Sequence, residues 1–139
     1  MSHAIVQPVL ALMLLTFAVW VTLFVRRITW MVSHNIDAQQ LATPEQIAST
    51  LPEAVNRAAN NFRNLFELPV VFYAICLLLL ATQTSDAVYI NLAWGYVALR
   101  VAHSFIHCTV NIVTLRFAAF ALSSIVLWIM LARLVVEHF

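Results

Sequence analysis

The residues best suited to chemistry lie inside segments that are otherwise apolar. Residues 100–107 place Arg100 and two histidines, His103 and His107, in a run apolar enough to span a bilayer. Arg116 stands at the start of a further apolar run, 117–136. Ionisable side chains within a membrane are costly and mark ligand, ion or substrate sites. We therefore expect these residues to belong to a functional site.

A second polar cluster precedes the apolar run 68–81 and consists of Asn60, Arg63, Asn64 and Glu67. At helical spacing Asn60, Asn64 and Glu67 share one face, and Arg63 lies beside them. Glu67 is the expected partner of Arg63 within its own helix or of Arg100 across the bundle. Because cations outnumber anions in the whole set, the pattern indicates an anionic ligand.

The third apolar run carries a polar stripe. Its members recur at i, i+4, i+7, i+11 and i+15, and they are Tyr96, Arg100, His103, His107 and Asn111. Such a stripe must face the interior of a helix bundle or a water-filled cleft. A purely structural role remains open, since a buried Arg–Glu pair can hold two helices in register.

The composition indicates an all-α integral membrane protein. Hydrophobic residues make up 63% of the 139 residues and charged residues 9%, with a single glycine. The apolar runs are continuous rather than alternating, which favours helices over a barrel. We predict one four-span domain over residues 1–139, a four-helix bundle with spans at about 4–24, 61–81, 87–107 and 117–136.

The distribution of arginines predicts the orientation. Arg26 and Arg27 follow the first span, which we interpret as an uncleaved anchor, and Arg116 precedes the fourth, whereas the loop around 83–86 has no basic residue. Basic residues favour the cytoplasmic side, so both termini are expected on the non-cytoplasmic side. Arg133 near the C-terminus is the one exception. A bacterial inner membrane and the endoplasmic reticulum both fit this pattern.

Two capping signatures stand in the long connection after the first span. Thr43 is followed three residues later by Gln46, and Thr50 by Glu53, each with a proline near the first helical turn. The first predicts a short helix. The second predicts that helix two starts near residue 51 and runs to about 82, with a kink at Pro69.

Other partners and cofactors are less favoured. A net charge of +1 without a basic tract gives no reason to expect nucleic acid. His103 and His107, with Glu67 nearby, are a conceivable metal-ligand set, but the neighbouring arginines would repel a cation, so we predict no metal. Cys76 and Cys108 are interpreted as small buried hydrophobic residues.

Two segments resemble a known family. Residues 57–69, Arg-Ala-Ala-Asn-Asn-Phe-Arg-Asn-Leu-Phe-Glu-Leu-Pro, are similar to the helix-two signature of the MAPEG family, the membrane-associated proteins of eicosanoid and glutathione metabolism. Residues 100–103, Arg-Val-Ala-His, with His107 and Arg116 after them, resemble the pattern of its prostaglandin E synthase and microsomal glutathione transferase branch. With the four-span layout, the resemblance covers nearly the whole chain.

The resemblance implies a homotrimer in the membrane lipid that binds glutathione as co-substrate between subunits near the cytoplasmic face. By position it assigns Arg116 as the catalytic residue that stabilises the glutathione thiolate. The residues implied to bind glutathione are Asn60, Arg63, Asn64, Glu67, Arg100, His103 and His107. The implied substrates are lipophilic small molecules that enter from the bilayer.

Two positions depart from the family pattern: Asn60 stands where glutathione-using members usually have an arginine, and Phe120 where several have a tyrosine. Two functions are therefore carried forward. The first is a glutathione-dependent transferase, peroxidase or isomerase. The second is a non-catalytic member of the same fold that binds a lipid or small anion, with the polar stripe serving trimer assembly.

Overall fold

The protein is built from helices. In the computed structural model, which describes residues 2–139, every regular element is helical. The six α-helices are α1 Val6–Ser33, α2 Pro44–Thr50, α3 Glu53–Asn64, α4 Leu68–Thr82, α5 Ala87–Cys108 and α6 Val113–His138. Short 3₁₀ turns occupy Ser2–Ile5 and Ala38–Leu41. The all-α prediction is confirmed for this part of the chain.

Three helical segments in the described part of the chain are long and apolar enough to cross a membrane: Val6–Ser33, Glu53–Thr82 and Val113–His138. They coincide with the first, second and fourth predicted spans. The third predicted span forms the 22-residue helix α5, which is outside this set because its polar side chains lower its hydropathy. The outward faces of the bundle are apolar, with exposed side chains such as Leu14, Phe17, Leu77 and Phe105.

The helix predicted from about 51 to 82 is interrupted. α3 ends at Asn64 and α4 begins at Leu68, with three residues between them. Pro69 has no N–H to donate to the carbonyl of Leu65, and its ring would clash with that carbonyl, so the chain leaves the helix one turn earlier. The N–H groups of Phe66 and Glu67 donate instead to the carbonyls of Arg63 and Asn64, three residues earlier, with N–O distances of 3.0 and 3.3 Å. The expected kink is therefore a full break.

The two predicted helix starts differ in outcome. Thr43 and Gln46 form the expected capping box, in which each side chain accepts a hydrogen bond from the other residue's N–H, and α2 follows. The second signature was wrong as a cap, because Thr50 is the last residue of α2 and Pro52 occupies the N-cap of α3 without a side-chain bond, but a helix does begin close to the predicted start, at Glu53. The carboxylate of Glu53 pairs with Arg57 instead.

The core lies where four helices meet. Most of its fully buried side chains come from α1, α4, α5 and α6, and include Leu12, Phe72, Tyr96, Leu127 and Met130. The rings of Phe72 and Tyr96 stack at 4.7 Å between centroids. α6 packs most extensively on α5, and α1 packs on α3 and α5. The packing holds the polar face of α5 toward α3 and α6.

One end of the bundle is closed by a charge network, which we call the Arg133 cluster (Asp86, Tyr89, Arg133 and Glu137). Arg133 donates to both oxygens of Asp86 and, through Nε, to Glu137 at 2.8 Å. The Tyr89 hydroxyl donates to the other oxygen of Glu137 at 2.7 Å. Asp86 also caps α5 by accepting from the N–H groups of Val88 and Tyr89.

Candidate functional site

The polar stripe of α5 is buried, as its spacing predicted. Tyr96 and Arg100 have no exposed surface, and His103 and His107 are 3% and 8% exposed. The stripe is shorter than predicted, because α5 ends at Cys108 and Asn111 lies in the following loop with a left-handed φ of 49°. Asparagine adopts this conformation more readily than most residues.

Arg100 is held by an amide rather than by a carboxylate. Its Nη2 donates to Oδ1 of Asn64, and Nδ2 of Asn64 donates to Oε2 of Glu67 at 2.9 Å. The predicted direct pairing of Glu67 with Arg63 or Arg100 was wrong. Within residues 2–139, the ion pairs are Arg57–Glu53, Arg133–Asp86 and Arg133–Glu137.

The helix break explains this arrangement. Because α3 ends at Asn64, Glu67 does not have the regular i+4 relation to Arg63 that the prediction assumed. Its side chain turns to Asn64, three residues earlier, and Asn64 lies between Glu67 and Arg100.

Several buried polar atoms of the site lack a hydrogen-bond partner among the described residues. They are Nε and Nη1 of Arg100, Nε2 of His103 and Nδ1 of His107. Buried polar groups in proteins are nearly always paired, so a cluster of this kind needs an explanation. The unpaired arginine N–H groups offer donors that suit an anionic or strongly polar ligand.

A cavity of about 290 Å³ brings six of the eight predicted site residues together. Its polar lining consists of Asn60, Asn64, Glu67, His103, His107 and Arg116, and its apolar lining of Val113, Phe117 and Phe120. Arg100 lies behind this lining, bonded to Asn64, with its guanidinium carbon 5.9 Å from the centre of the Phe120 ring. The cavity therefore has a charged, hydrogen-bonding side and an aromatic side.

Arg63 does not line this cavity. It lines a neighbouring cavity of about 260 Å³ with Arg27, Glu53, Asn56 and other residues of α2 and α3. Successive residues of a helix point about 100° apart, so Arg63 faces away from the surface that Asn64 presents. Asn60 lines both cavities.

The imidazole of His103 is oriented by the backbone of α6. Its Nδ1 donates to the carbonyl of Arg116 at 3.0 Å, and its Nε2 has no partner among the described residues. The ring lies edge-to-face with His107 at 5.6 Å between centroids. Although His103, His107 and Glu67 all line the cavity, no three His, Cys, Asp or Glu side chains in the described part of the chain are grouped to hold a metal ion.

The guanidinium of Arg116 is fixed by a residue that was not predicted to belong to the site. Its Nη1 donates to Oδ1 of Asn111, and Nδ2 of Asn111 donates to Glu53 at 2.7 Å. Spacing along the sequence placed Asn111 at the end of the stripe and Glu53 in a capping signature. Asparagine is common in loops and turns, so the position of Asn111 between the third and fourth predicted spans was the one sign in the sequence that it belongs to a loop.

The comparisons with known proteins identify the family. The model of the MAPEG family matches residues 5–136, nearly the whole chain. The chain therefore belongs to the MAPEG family and is a membrane protein of that family. Comparisons with curated proteins and with solved structures give no match.

Proposed function

We propose that this protein is a glutathione-dependent membrane enzyme of the prostaglandin E synthase and microsomal glutathione transferase branch. It acts as a transferase, peroxidase or isomerase on lipophilic electrophiles or peroxides. The observation that carries the proposal is the cavity in which Arg116, two histidines, two asparagines and Glu67 face an aromatic wall. Membership of the MAPEG family supports the choice of glutathione.

The donors and acceptors of the cavity fit glutathione. This tripeptide has two carboxylates, an ammonium group and a thiol. Asn60 and Asn64 can donate to a carboxylate, while Glu67 can accept from the ammonium. Arg116 is the arginine that lines the cavity directly, so it is the group placed to meet the thiol.

Arg116 has the catalytic role in this proposal. A free thiol has a pKa of about 8.5 and is mostly protonated at neutral pH. A guanidinium beside it keeps its own positive charge and stabilises the thiolate, the form that reacts. Glutathione supplies the sulfur, which bonds to an electrophilic carbon as a leaving group departs or as the neighbouring carbon takes a proton. With a hydroperoxide, the thiolate takes the outer oxygen and releases an alcohol, and a second glutathione converts the resulting sulfenic acid to the disulfide and water. With an endoperoxide, the thiolate attacks one oxygen and breaks the O–O bond, and it leaves again when the adjacent carbon loses a proton and becomes a carbonyl. Val113, Phe117 and Phe120 provide an apolar surface for the second substrate.

The proposed setting is a homotrimer of four-span subunits with both termini on the non-cytoplasmic side. α1, α3–α4, α5 and α6 provide the four spans, and α5 tolerates its polar stripe because the stripe faces inward. Arg133, the exception to the charge distribution, is neutralised by Asp86 and Glu137. A bacterial inner membrane and the endoplasmic reticulum both remain compatible with this arrangement.

A second candidate function is non-catalytic: the polar stripe holds the assembly together, or binds a lipid or another small anion. The chain of hydrogen bonds from Arg100 through Asn64 to Glu67 favours it, because it joins α5 to the α3–α4 break without a ligand. It predicts that Glu67→Gln or Arg100→Ala weakens assembly in detergent.

A thermal-shift titration with glutathione tests the choice. A ligand that binds the folded state alone stabilises it, by about 2.7 kcal/mol at one hundred times its Kd. We expect a saturable rise in the unfolding midpoint of the detergent-solubilised protein, and a smaller rise for Glu67→Gln. No rise at millimolar glutathione would reject the enzyme proposal in favour of the second candidate.

A further inference from the structure

The loop between α5 and α6 is tied to the start of α3 by a chain of polar contacts. Arg57 chelates Glu53 through Nε and Nη2, at 3.0 and 2.8 Å. Glu53 accepts from the amide of Asn111 at 2.7 Å, and the amide oxygen of Asn111 accepts from Arg116. Arg57 also donates to the carbonyl of Thr109 in the same loop.

Asn111 is suited to this position in two ways. Its φ of 49° falls in the left-handed region, which asparagine tolerates better than most other side chains. Its side chain carries an acceptor and a donor together, so it can receive Arg116 on one atom and bond Glu53 with the other. A residue with only one of these functions could not form the bridge.

The bridge holds Arg116 without neutralising it. An amide oxygen is uncharged, so the guanidinium keeps its full charge for a ligand in the cavity. A carboxylate at the same place would form an ion pair and weaken the field at the thiol. The Arg100–Asn64–Glu67 contacts repeat this arrangement at Asn64, which also lines the cavity.

We propose that Asn111, held by Glu53, is a positioning residue that fixes the Arg116 guanidinium at the cavity while leaving its charge available. The inference rests on the proposed function, in which Arg116 stabilises the glutathione thiolate. An arginine side chain has many rotamers, and confining it before the reaction lowers the entropic cost of the step.

The test compares two substitutions at Asn111 in the full-length protein. Asn111→Gly removes the bridge but accepts the left-handed φ, whereas Asn111→Asp keeps an acceptor for Arg116, loses the donor to Glu53 and adds a carboxylate. Asn35 is the matched control, because it also has a left-handed φ, 52°, and its exposed side chain makes no hydrogen bond within residues 2–139. Asn35→Gly and Asn35→Asp should behave as the wild type.

The readouts are kcat, the KM for glutathione and the pH profile of kcat. Asn111→Gly should lower kcat by about tenfold or more, because a misplacement near 1 Å can cost about a hundredfold. The KM for glutathione should change much less. Asn111→Asp should shift the pH profile upward by about one unit, toward the free thiol. The inference is overturned if Asn111→Gly matches Asn35→Gly in kcat, or if the Asn111→Asp profile does not move.

A double-mutant cycle tests whether Glu53 acts through Asn111. Glu53→Ala, which removes the acceptor for the Asn111 amide, should lower kcat as a single substitution but should add no further loss in the Asn111→Gly background. Additive losses would contradict the proposed chain of contacts. Wild-type rates in the Asn111 variants, with activity lost in Arg116→Ala, would reject this inference alone. A wild-type protein that shows no glutathione-dependent activity would reject the proposed function with it.

Discussion

The two ends of the bundle hold their arginines in opposite ways. At the Arg133 cluster the guanidinium contacts Asp86 and Glu137 directly, and it lies 4.3 Å from the centre of the Tyr89 ring. At the cavity, Arg100 and Arg116 contact amide oxygens instead. Each of those amides passes a hydrogen bond on to a glutamate, so the carboxylate is one residue removed from the cation.

In our account, the difference separates a structural use of charge from a functional one. Direct pairing neutralises Arg133 and joins the start of α5 to the end of α6, which stabilises the fold. The amide contacts fix the cavity arginines in place but leave their charges uncompensated within the described part of the chain. An uncompensated cation away from bulk water is costly, and in our account glutathione provides the missing anion at Arg116, which lines the cavity.

Removing Arg116 should reduce activity, whereas removing Arg133 should reduce thermal stability. The loss of activity in Arg116→Ala is the largest effect that we expect. Arg116→Ala should lower kcat/KM by about 10²–10³, the range for a lost charge-stabilising group, with little change in thermal stability. Arg133→Ala should leave kcat/KM near the wild-type value. Steady-state conjugation and peroxidase assays with glutathione check both. Equal losses of activity in the two variants would show that the ends do not differ in function.

Converting the amide at the cavity into a carboxylate should make this end resemble the Arg133 cluster. Asn64→Asp places an anion against Arg100 and beside Glu67, so glutathione should bind about tenfold more weakly through repulsion of its carboxylates. Asn64→Ala is the control, since it removes the hydrogen bonds without adding charge. Calorimetry measures the Kd for glutathione in both variants. An equal loss of affinity in Asn64→Asp and Asn64→Ala would show that the added charge is not the cause.

The thermal stability of the Arg133 cluster should depend on its direct ion pairs. Arg133→Ala removes the contacts with Asp86, Glu137 and the ring of Tyr89, so the unfolding midpoint should fall by a few degrees. Arg133→Lys should recover part of the loss, because lysine keeps the charge but cannot form the forked contact. A midpoint unchanged in Arg133→Ala would contradict the structural role.

The smallest effect concerns pH. Hydrogen bonding from Arg133 is the largest cause that lowers the pKa of Asp86 below its ordinary value, and the N–H of Tyr89 adds to it. Stability from this carboxylate is therefore fully present above its unfolded pKa of about 3.9 and is lost as pH falls through the lower, folded pKa. Asp86→Asn should flatten the fall of the unfolding midpoint below about pH 4. If the unfolding midpoints of the wild type and of Asp86→Asn fall with equal slope, this role of Asp86 is contradicted.

The sequence predicted the buried face of α5 correctly because helical periodicity alone places Arg100, His103 and His107 on one side. The same reasoning grouped Arg63 with Asn64, although adjacent helical residues point in different directions and the two line different cavities. Periodicity also carried the stripe on to Asn111, because no glycine or proline marks the end of α5 at Cys108.

The contacts that the sequence could not provide are long-range. Glu53 and Asn111 are 58 residues apart, and Asp86 and Arg133 are 47 apart, so no local spacing links them. From the charge distribution across the loops, Arg133 could be recognised only as an exception to the predicted orientation. Its partners, Asp86 and Glu137, become apparent only in the folded structure. The break before Pro69 had a local signal, but its effect, the turn of Glu67 toward Asn64, depends on the geometry of the broken helix.

The most direct test of the central claim is the ionisation of glutathione bound to the protein. The ultraviolet absorbance of the thiolate, measured at neutral pH with saturating glutathione, reports how much of the bound thiol has lost its proton. We predict a clear thiolate signal in the wild type and in Arg133→Ala, and its loss in Arg116→Ala at equal occupancy. A bound thiol that stays protonated in the wild type, or a thiolate signal that survives in Arg116→Ala, would contradict the account.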